Sequence, residues 1–174
     1  VFASDESGVP QMCISNTTSC STWETYATSK PWTFESGDGI KTVYIWFRDS
    51  VGNINTTPYS ATIILDTAKP TSTITLPNSV SPLIGTTYTI KGIASDIGSQ
   101  VQKVEISSDG GTTWNLATGT TTWSYVWTIP ADGTYTIKSR ATDKAGNVEI
   151  PGAGITITAY KRQPSTVTTS GRQL

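Results

Sequence analysis

Over residues 71–160, apolar and polar positions alternate with the period of two that marks half-buried strands. Tyr88, Ile90 and Ala94 fall on one face of a run at 88–96. Trp123, Tyr125, Trp127 and Ile129 do the same at 123–129, and Tyr135, Ile137 and Ala141 line a run at 135–141. Shorter runs at 71–76, 104–107, 114–116 and 155–160 bring the set to seven. Asp109-Gly110-Gly111 and Asp132-Gly133 supply turns between them. Short alternating strands with frequent turns predict an all-β, two-layer sandwich.

The first part of the chain repeats this pattern. Lys41–Asn53 reads like Tyr135–Asn147, and the two Asp-x-x-Gly-Asn turns stand at 49 and 143, a register of 94 residues. Ala3-Ser4-Asp5 matches Ala94-Ser95-Asp96, Trp23 matches Trp114, and Trp32-Thr33-Phe34 matches Trp127-Thr128-Ile129. Met12 and Ile14 take the places of Val104 and Ile106, and Val43, Ile45 and Phe47 are expected to face a core. A period this long predicts tandem β modules and not the short repeats of a solenoid. Their size and strand count suit two immunoglobulin-like sandwiches. The expected layout is an incomplete module at 1–66, a short Pro-containing linker at 67–70, a complete module at 71–160 and a tail at 161–174.

In this register Val1 aligns with Gly92, so the first module has no counterpart of residues 71–91 and lacks its first strand and most of its second. Gln163–Thr168 in turn resembles Lys69–Thr75, the start of the second module. A piece cut from a longer tandem array accounts for both ends. The competing expectation is strand donation, in which the tail of one copy completes the first module of the next and builds an open filament. The tail has few apolar residues and could restore only part of what is missing.

Six Trp, seven Tyr and abundant Thr and Ser reinforce the all-β reading. The net charge of −1 and the absence of any basic block point away from nucleic acid and anionic membranes. No apolar run is long enough to span a bilayer, and no signal peptide remains at Val1. The chain contains no histidine, which removes the usual general base and the commonest transition-metal ligand and argues against an enzyme. Cys13 and Cys20 are the only cysteines. Their spacing does not make a zinc site, and a pair this close beside a predicted hairpin reads as a disulfide formed outside the cytoplasm.

Several segments resemble the bacterial Ig-like repeats found in tandem in secreted and surface proteins: Ala-Ser-Asp at 3–5 and 94–96, Ser-Asp-Gly-Gly-Thr-Thr-Trp at 108–114, Phe-Arg-Asp-Ser-Val-Gly-Asn at 47–53 and Ala-Thr-Asp-Lys-Ala-Gly-Asn at 141–147. The resemblance covers nearly all of residues 3–160 and implies an extracellular spacer, adhesion or assembly module. Residues 104–114 and 140–147 also resemble the Ig-like dimerisation domain of sulfite-oxidase-type molybdenum enzymes. That likeness implies an accessory or dimerisation domain of a larger oxidoreductase. The cofactor domain of those enzymes has no counterpart here, and the upstream Ig-like unit departs from their arrangement.

Four groups of residues are candidate sites. Asp5 with Asp49, and Asp96 with Asp143, would share one end of each sandwich, where two carboxylates and loop carbonyls could hold Ca²⁺. The alternative is that each Asp caps its own turn, with Gly52 and Gly146 supplying the tight geometry. Ser107–Trp114 resembles the Asp-box of sialidase propellers. Asp109 and Trp114 are expected to build a structural turn there, since a propeller needs the box repeated. Tyr44 and Trp46 point away from the expected core and offer a contact for a partner subunit or a glycan, or else pack locally on the sheet. Asn16 and Asn55 open Asn-x-Thr sequons, which carry little weight in a bacterial protein. The expectation is a non-catalytic structural or adhesion module of the extracellular space or cell surface. Its partners would be neighbouring Ig-like modules, further copies of itself, or a protein or glycan ligand. No cofactor is expected apart from the Ca²⁺ candidate.

Overall fold

The computed structural model describes residues 3, 6, 8–78 and 82–162. Every regular element among them is a strand or an isolated bridge. Asp5 and the tail from Gln163 onward, and with them the expectations placed on those residues, lie outside the described residues. The chain divides into two compact units, Val1–Thr67 and Ala68–Leu174.

Unit 1 holds β1 (Gln11–Ser15), β2 (Glu24–Thr25), β3 (Gly39–Arg48) and β4 (Tyr59–Leu65) in one antiparallel sheet of order β2-β1-β3-β4. Met12 sits opposite Phe47 and Ile14 opposite Ile45, and Ile45 in turn lies opposite Tyr59 and Val43 opposite Ala61. These residues therefore share one face. Met12 and Phe47 are buried, with Tyr26 and Tyr59 packed edge-on to the Phe47 ring at 5.9 and 5.8 Å. Val43 and Ile45, expected to be core, are only half-buried, and Ile63 on β4 is 53% exposed.

Among the described residues, unit 2 holds nine strands: β5 (Thr71–Leu76), β6 (Leu83–Ile84), β7 (Thr87–Ser95), β8 (Val101–Ser107), β9 (Asn115–Leu116), β10 (Thr118–Gly119), β11 (Thr122–Thr128), β12 (Gly133–Asp143) and β13 (Ile155–Tyr160). They form one sheet of order β10-β11-β7-β5 and a second of order β6-β13-β12-β8-β9. This is the ABED and GFC arrangement of an immunoglobulin-like sandwich. The seven predicted strands are all present. The short β6, which pairs parallel with β13, and the short β10 are additions that carry too little alternation to be read from sequence.

The core of unit 2 lies between the sheets. β7 and β11 contribute Ile90, Ala94, Trp123 and Trp127, and β8, β12 and β13 contribute Val104, Ile106, Ile137, Ala141, Ile157 and Ala159. Trp127 packs edge-on to Tyr135 at 4.9 Å, and the Tyr135 hydroxyl donates to the Ala131 carbonyl at 2.7 Å. A Tyr at the start of strand F bonded back to the preceding turn is the tyrosine corner of Ig-like domains. Gly92 faces the Trp123 indole so closely that an added Cβ would lie 2.1 Å from the ring and 2.3 Å from the Thr73 carbonyl.

The β3–β4 connection of unit 1 repeats the β12–β13 connection of unit 2, and β1 repeats β8. One expected match does not form. Trp32-Thr33-Phe34, aligned with the end of β11, lies in residues 26–38, which contain no strand. In unit 2, β11 is held along its length by β7. The described part of unit 1 has no strand in the place of β7, and a lone strand cannot satisfy its backbone groups. The described part of unit 1 is therefore the counterpart of one sheet of unit 2.

Gly92→Ala is expected to destabilise unit 2 by about 1–3 kcal/mol, because the methyl group has no space between Trp123 and β5. Denaturant unfolding followed by tryptophan fluorescence measures this. A neutral outcome would show that the Trp123–Gly92 contact does not limit packing.

Candidate functional site

The two Asp-x-x-Gly-Asn turns share one geometry. Asp49 N–H donates to the Asn53 carbonyl at 3.0 Å and Gly52 N–H to the Asp49 carbonyl at 3.3 Å. In the second turn, Asp143 N–H reaches Asn147 at 3.1 Å and Gly146 N–H reaches Asp143 at 3.3 Å. Gly52 and Gly146 both have φ of +96°, which explains the glycine. The Asp49 carboxylate accepts from the amides of Val51 and Asn53 and from the Asn53 side chain at 2.7–3.0 Å. Desolvation opposes its ionisation, and these hydrogen bonds, with that of Gly52, outweigh it and hold the carboxyl below its usual range. Asp143 accepts from the Asn147 amide and side chain at 2.8 Å and is fully buried.

Asp96 approaches Asp143. Asp96 and Asp143 each place a carboxylate oxygen within 4.8 Å of the other. Asp96 Oδ2 accepts from the amides of Gly98 and Gln100 at 3.1 and 2.8 Å. Its Oδ1 is buried and has no hydrogen-bond partner. The predicted pairing of these two acids is thus present in unit 2. For Asp49 the predicted partner, Asp5, is not among the described residues.

The Ser107–Trp114 turn is built around Asp109. The Ser107 and Thr113 hydroxyls donate to its carboxylate at 2.7 and 2.5 Å, and the amides of Thr112 and Thr113 reach it at 2.9–3.0 Å. Thr113 lowers the carboxyl most and Ser107 next, and it sits far below the ordinary carboxylate range. Gly110 and Gly111 adopt φ of +78° and +107°, and Trp114 Nε1 caps the Gly111 carbonyl at 3.1 Å. Arg140 stacks 4.2 Å above the Trp114 ring and donates to Glu105 at 3.1 Å. Desolvation of Glu105 opposes ionisation, while Arg140 and Lys103 outweigh it and hold the carboxyl low. Ser107, Thr112 and Thr113, which hold the Asp109 carboxylate, all belong to its own turn, as a structural role requires.

On the outer face of unit 1, Cys13 and Cys20 form a disulfide. Cys13 pairs across the ladder with Trp46, and Ser15 with Tyr44. Tyr44 and Trp46 are half-buried, with ring centroids 6.2 Å apart. Beside them Arg48 stacks 4.6 Å above Trp23 and donates to Gln11 at 2.7 Å. In unit 2 the places of Cys13 and Trp46 are taken by Glu105 and Arg140.

One polar residue went unread in the sequence. Glu149 accepts from the Ala141 amide at 2.8 Å and from the Ser72 amide and hydroxyl at 2.9 and 2.6 Å, tying β12 to β5 across the two sheets. Its counterpart in the 94-residue register is Asn55, which accepts from the Phe47 amide at 2.6 Å. That register was the available signal, since both side chains hold the equivalent amide.

Residues 70–138 match the family model described as a bacterial Ig domain. Among solved structures, the chain is similar to one titled "Structures of Clostridium thermocellum CbhA fibronectin(III)-like modules". The identity is 17% and the TM-score 0.53, with 92% of this chain and 83% of that chain covered. At this identity the likeness concerns the fold. No curated protein matches the chain. The resemblance to bacterial Ig-like domains read from the sequence therefore holds, and the all-β Ig-type fold with it. Among the described residues, no helix is long and apolar enough to cross a membrane.

Asp109 generates a pH prediction. Its folded carboxyl titrates below the unfolded value of about 3.9, so its contribution is whole above that pH and fades as the pH falls further. Asp109→Asn is expected to lower the unfolding midpoint of unit 2 at neutral pH and to flatten its decline below about pH 4. Thermal unfolding from neutral to acid pH checks this. An unchanged acid slope would remove Asp109 from the account.

Proposed function

We propose that this chain is a non-catalytic structural module of a secreted or cell-surface protein, in which Ig-like units space or present other segments and meet neighbouring modules or a ligand. The observation that carries this reading is where the polar groups of the Ig-like domain go. Asp109 and Ser107 serve their own turn, Asp143 serves the turn to Asn147, and Glu149 joins the two sheets. Each of these three acids is held by hydrogen bonds that build a turn or join the sheets, which is what a structural role asks of them. The Cys13–Cys20 disulfide and the bacterial Ig match are consistent with an extracellular setting.

Cells producing the protein test this. Protease added to intact cells is expected to cleave it, or else the protein is found in the medium, and thiol alkylation labels Cys13 and Cys20 only after reduction. Protease protection together with free thiols would place the protein in the cytoplasm and end this reading.

A second reading is favoured by the unpartnered Asp96 Oδ1. Two carboxylates this close repel unless a cation or a proton lies between them, and an oxygen pair at a loop end suits Ca²⁺. Ca²⁺ at about 1 mM, the range of extracellular modules, is expected to raise the unfolding midpoint of unit 2 above that in chelator. Asp96→Asn should remove the difference. Identical midpoints with and without Ca²⁺ would end this second reading.

A further inference from the structure

Unit 1 holds a cleft at a place that unit 2 closes. β1 pairs with β3 only as far as Ser15 opposite Tyr44, whereas β4 follows β3 from Ile45 back to Gly39. Among the described residues, 40–43 therefore have no strand beside them on the β1 side, and a cavity of about 270 Å³ lies there. In unit 2 the same register sets Ser107 opposite Lys138. The Asp109 turn then folds onto β12, with Gly110 N–H donating to the Thr136 carbonyl at 3.0 Å. Thr136 corresponds to Thr42 in the 94-residue register. In unit 1 Thr17 stands in the place of Asp109, residues 16–22 contain no Asp, and among the described residues no amide of that loop reaches the Thr42 carbonyl.

We infer that this cleft binds a unit of a neutral saccharide. Phe34, Ile40 and Tyr44 give it apolar surface, and Asn16, Glu35, Lys41 and Thr42 give it polar groups. Its walls are fixed from behind. Trp32 Nε1 donates to Asn16 Oδ1 at 2.7 Å, Asn16 Nδ2 donates to the Thr33 carbonyl at 3.3 Å, and Lys41 Nζ donates to the Ser36 carbonyl at 3.2 Å. The Glu35 carboxylate and the hydroxyls of Thr42 and Tyr44 make no hydrogen bond or ion pair among the described residues, so they remain available to a ligand. A sugar ring offers what this lining asks for: a C–H face for the apolar walls, and hydroxyls that both donate and accept. The opposite charges of Glu35 and Lys41 favour a neutral ligand over an ion. The volume lies at the low end of the roughly 300–1,000 Å³ of small-molecule sites, which suits a sugar unit and not a folded partner. From Tyr44 the outer face of β3 continues to Trp46, with the two rings 6.2 Å apart, so a longer chain leaving the cleft would meet a second aromatic ring. The inference deepens the reading above, which leaves the ligand unnamed and on which it rests.

The test titrates the purified full chain with β-linked hexasaccharides of glucose, xylose, mannose and N-acetylglucosamine, and with hexagalacturonate as the anionic comparison. Calorimetry reads the affinity and backbone amide shifts read the site. At least one neutral hexasaccharide is expected to saturate the chain by about 10 mM, as a dissociation constant of about 1 mM or tighter requires, and to shift the amides of Asn16 and residues 34–44. Glu35→Ala, at an exposed position with no bond to lose, should weaken that binding at least about tenfold, and Tyr44→Ala should do the same. Leu116→Ala, on the exposed surface of unit 2, should leave it unchanged. No saturable binding by any neutral hexasaccharide would overturn the inference. So would binding that survives both unit 1 substitutions, or hexagalacturonate binding as tight as that of the neutral chains. An exported, disulfide-bonded protein that bound no sugar would sink this inference alone, whereas protease protection with free thiols would sink the reading beneath it.

Discussion

The sealing of one apolar sheet face by a second sheet is the interaction on which the rest of this chain depends. In unit 2 it centres on Trp123, whose indole lies over Gly92 and against the layer formed by Val104, Ile106 and Ile137. A tryptophan buries a large apolar area, and its neighbour must be small enough to let the sheets approach. Once the layer is closed, backbone groups at its rim need partners. Glu149 supplies them across the gap, accepting from both Ser72 and Ala141. A carboxylate that takes three hydrogen bonds across two sheets fixes their spacing as well as joining them.

Among its described residues, unit 1 shows the same frame without that closure. Its strands form in the absence of a second sheet because each is satisfied laterally: β3 is hydrogen-bonded to β1 on one side and β4 on the other. Residues 29–34 have no such lateral support and stay irregular, although Trp32 and Phe34 carry the apolar pattern of a strand. Strand formation here follows pairing, and side-chain alternation alone does not produce it. The disulfide and the Arg48–Trp23 stack lie on the outer face of β1 and β3.

Much of this was legible in the sequence for physical reasons. Period-two alternation located the seven main strands of unit 2, since a half-buried sheet imposes that period. The Asp-x-x-Gly-Asn turns were legible because a positive φ and a side-chain cap demand those residue types. Ser107–Trp114 was legible as a turn for the same reason. β6 and β10 escaped because two residues show no period. Trp32-Thr33-Phe34 matches the end of β11 in sequence yet forms no strand, because side-chain pattern does not supply a pairing partner. Glu149 escaped because a single acid after a turn looks solvated, and only the approach of β12 to β5 of the other sheet reveals what it holds.

The contrast between the units also separates two kinds of exposed apolar surface. Scattered apolar residues such as Val126 and Ile97 in unit 2 stand singly on a closed sandwich and need no explanation. On β4, Tyr59 and Ile63 continue the inner face of unit 1, while Ile64 on the opposite side borders an edge strand. A continuous apolar face ending in an unpaired edge is a template for another strand. A β-sheet protein that kept such a surface without use would pair nonspecifically. The same surface filled by a strand of matching alternation would become the ordinary core of an Ig-like domain.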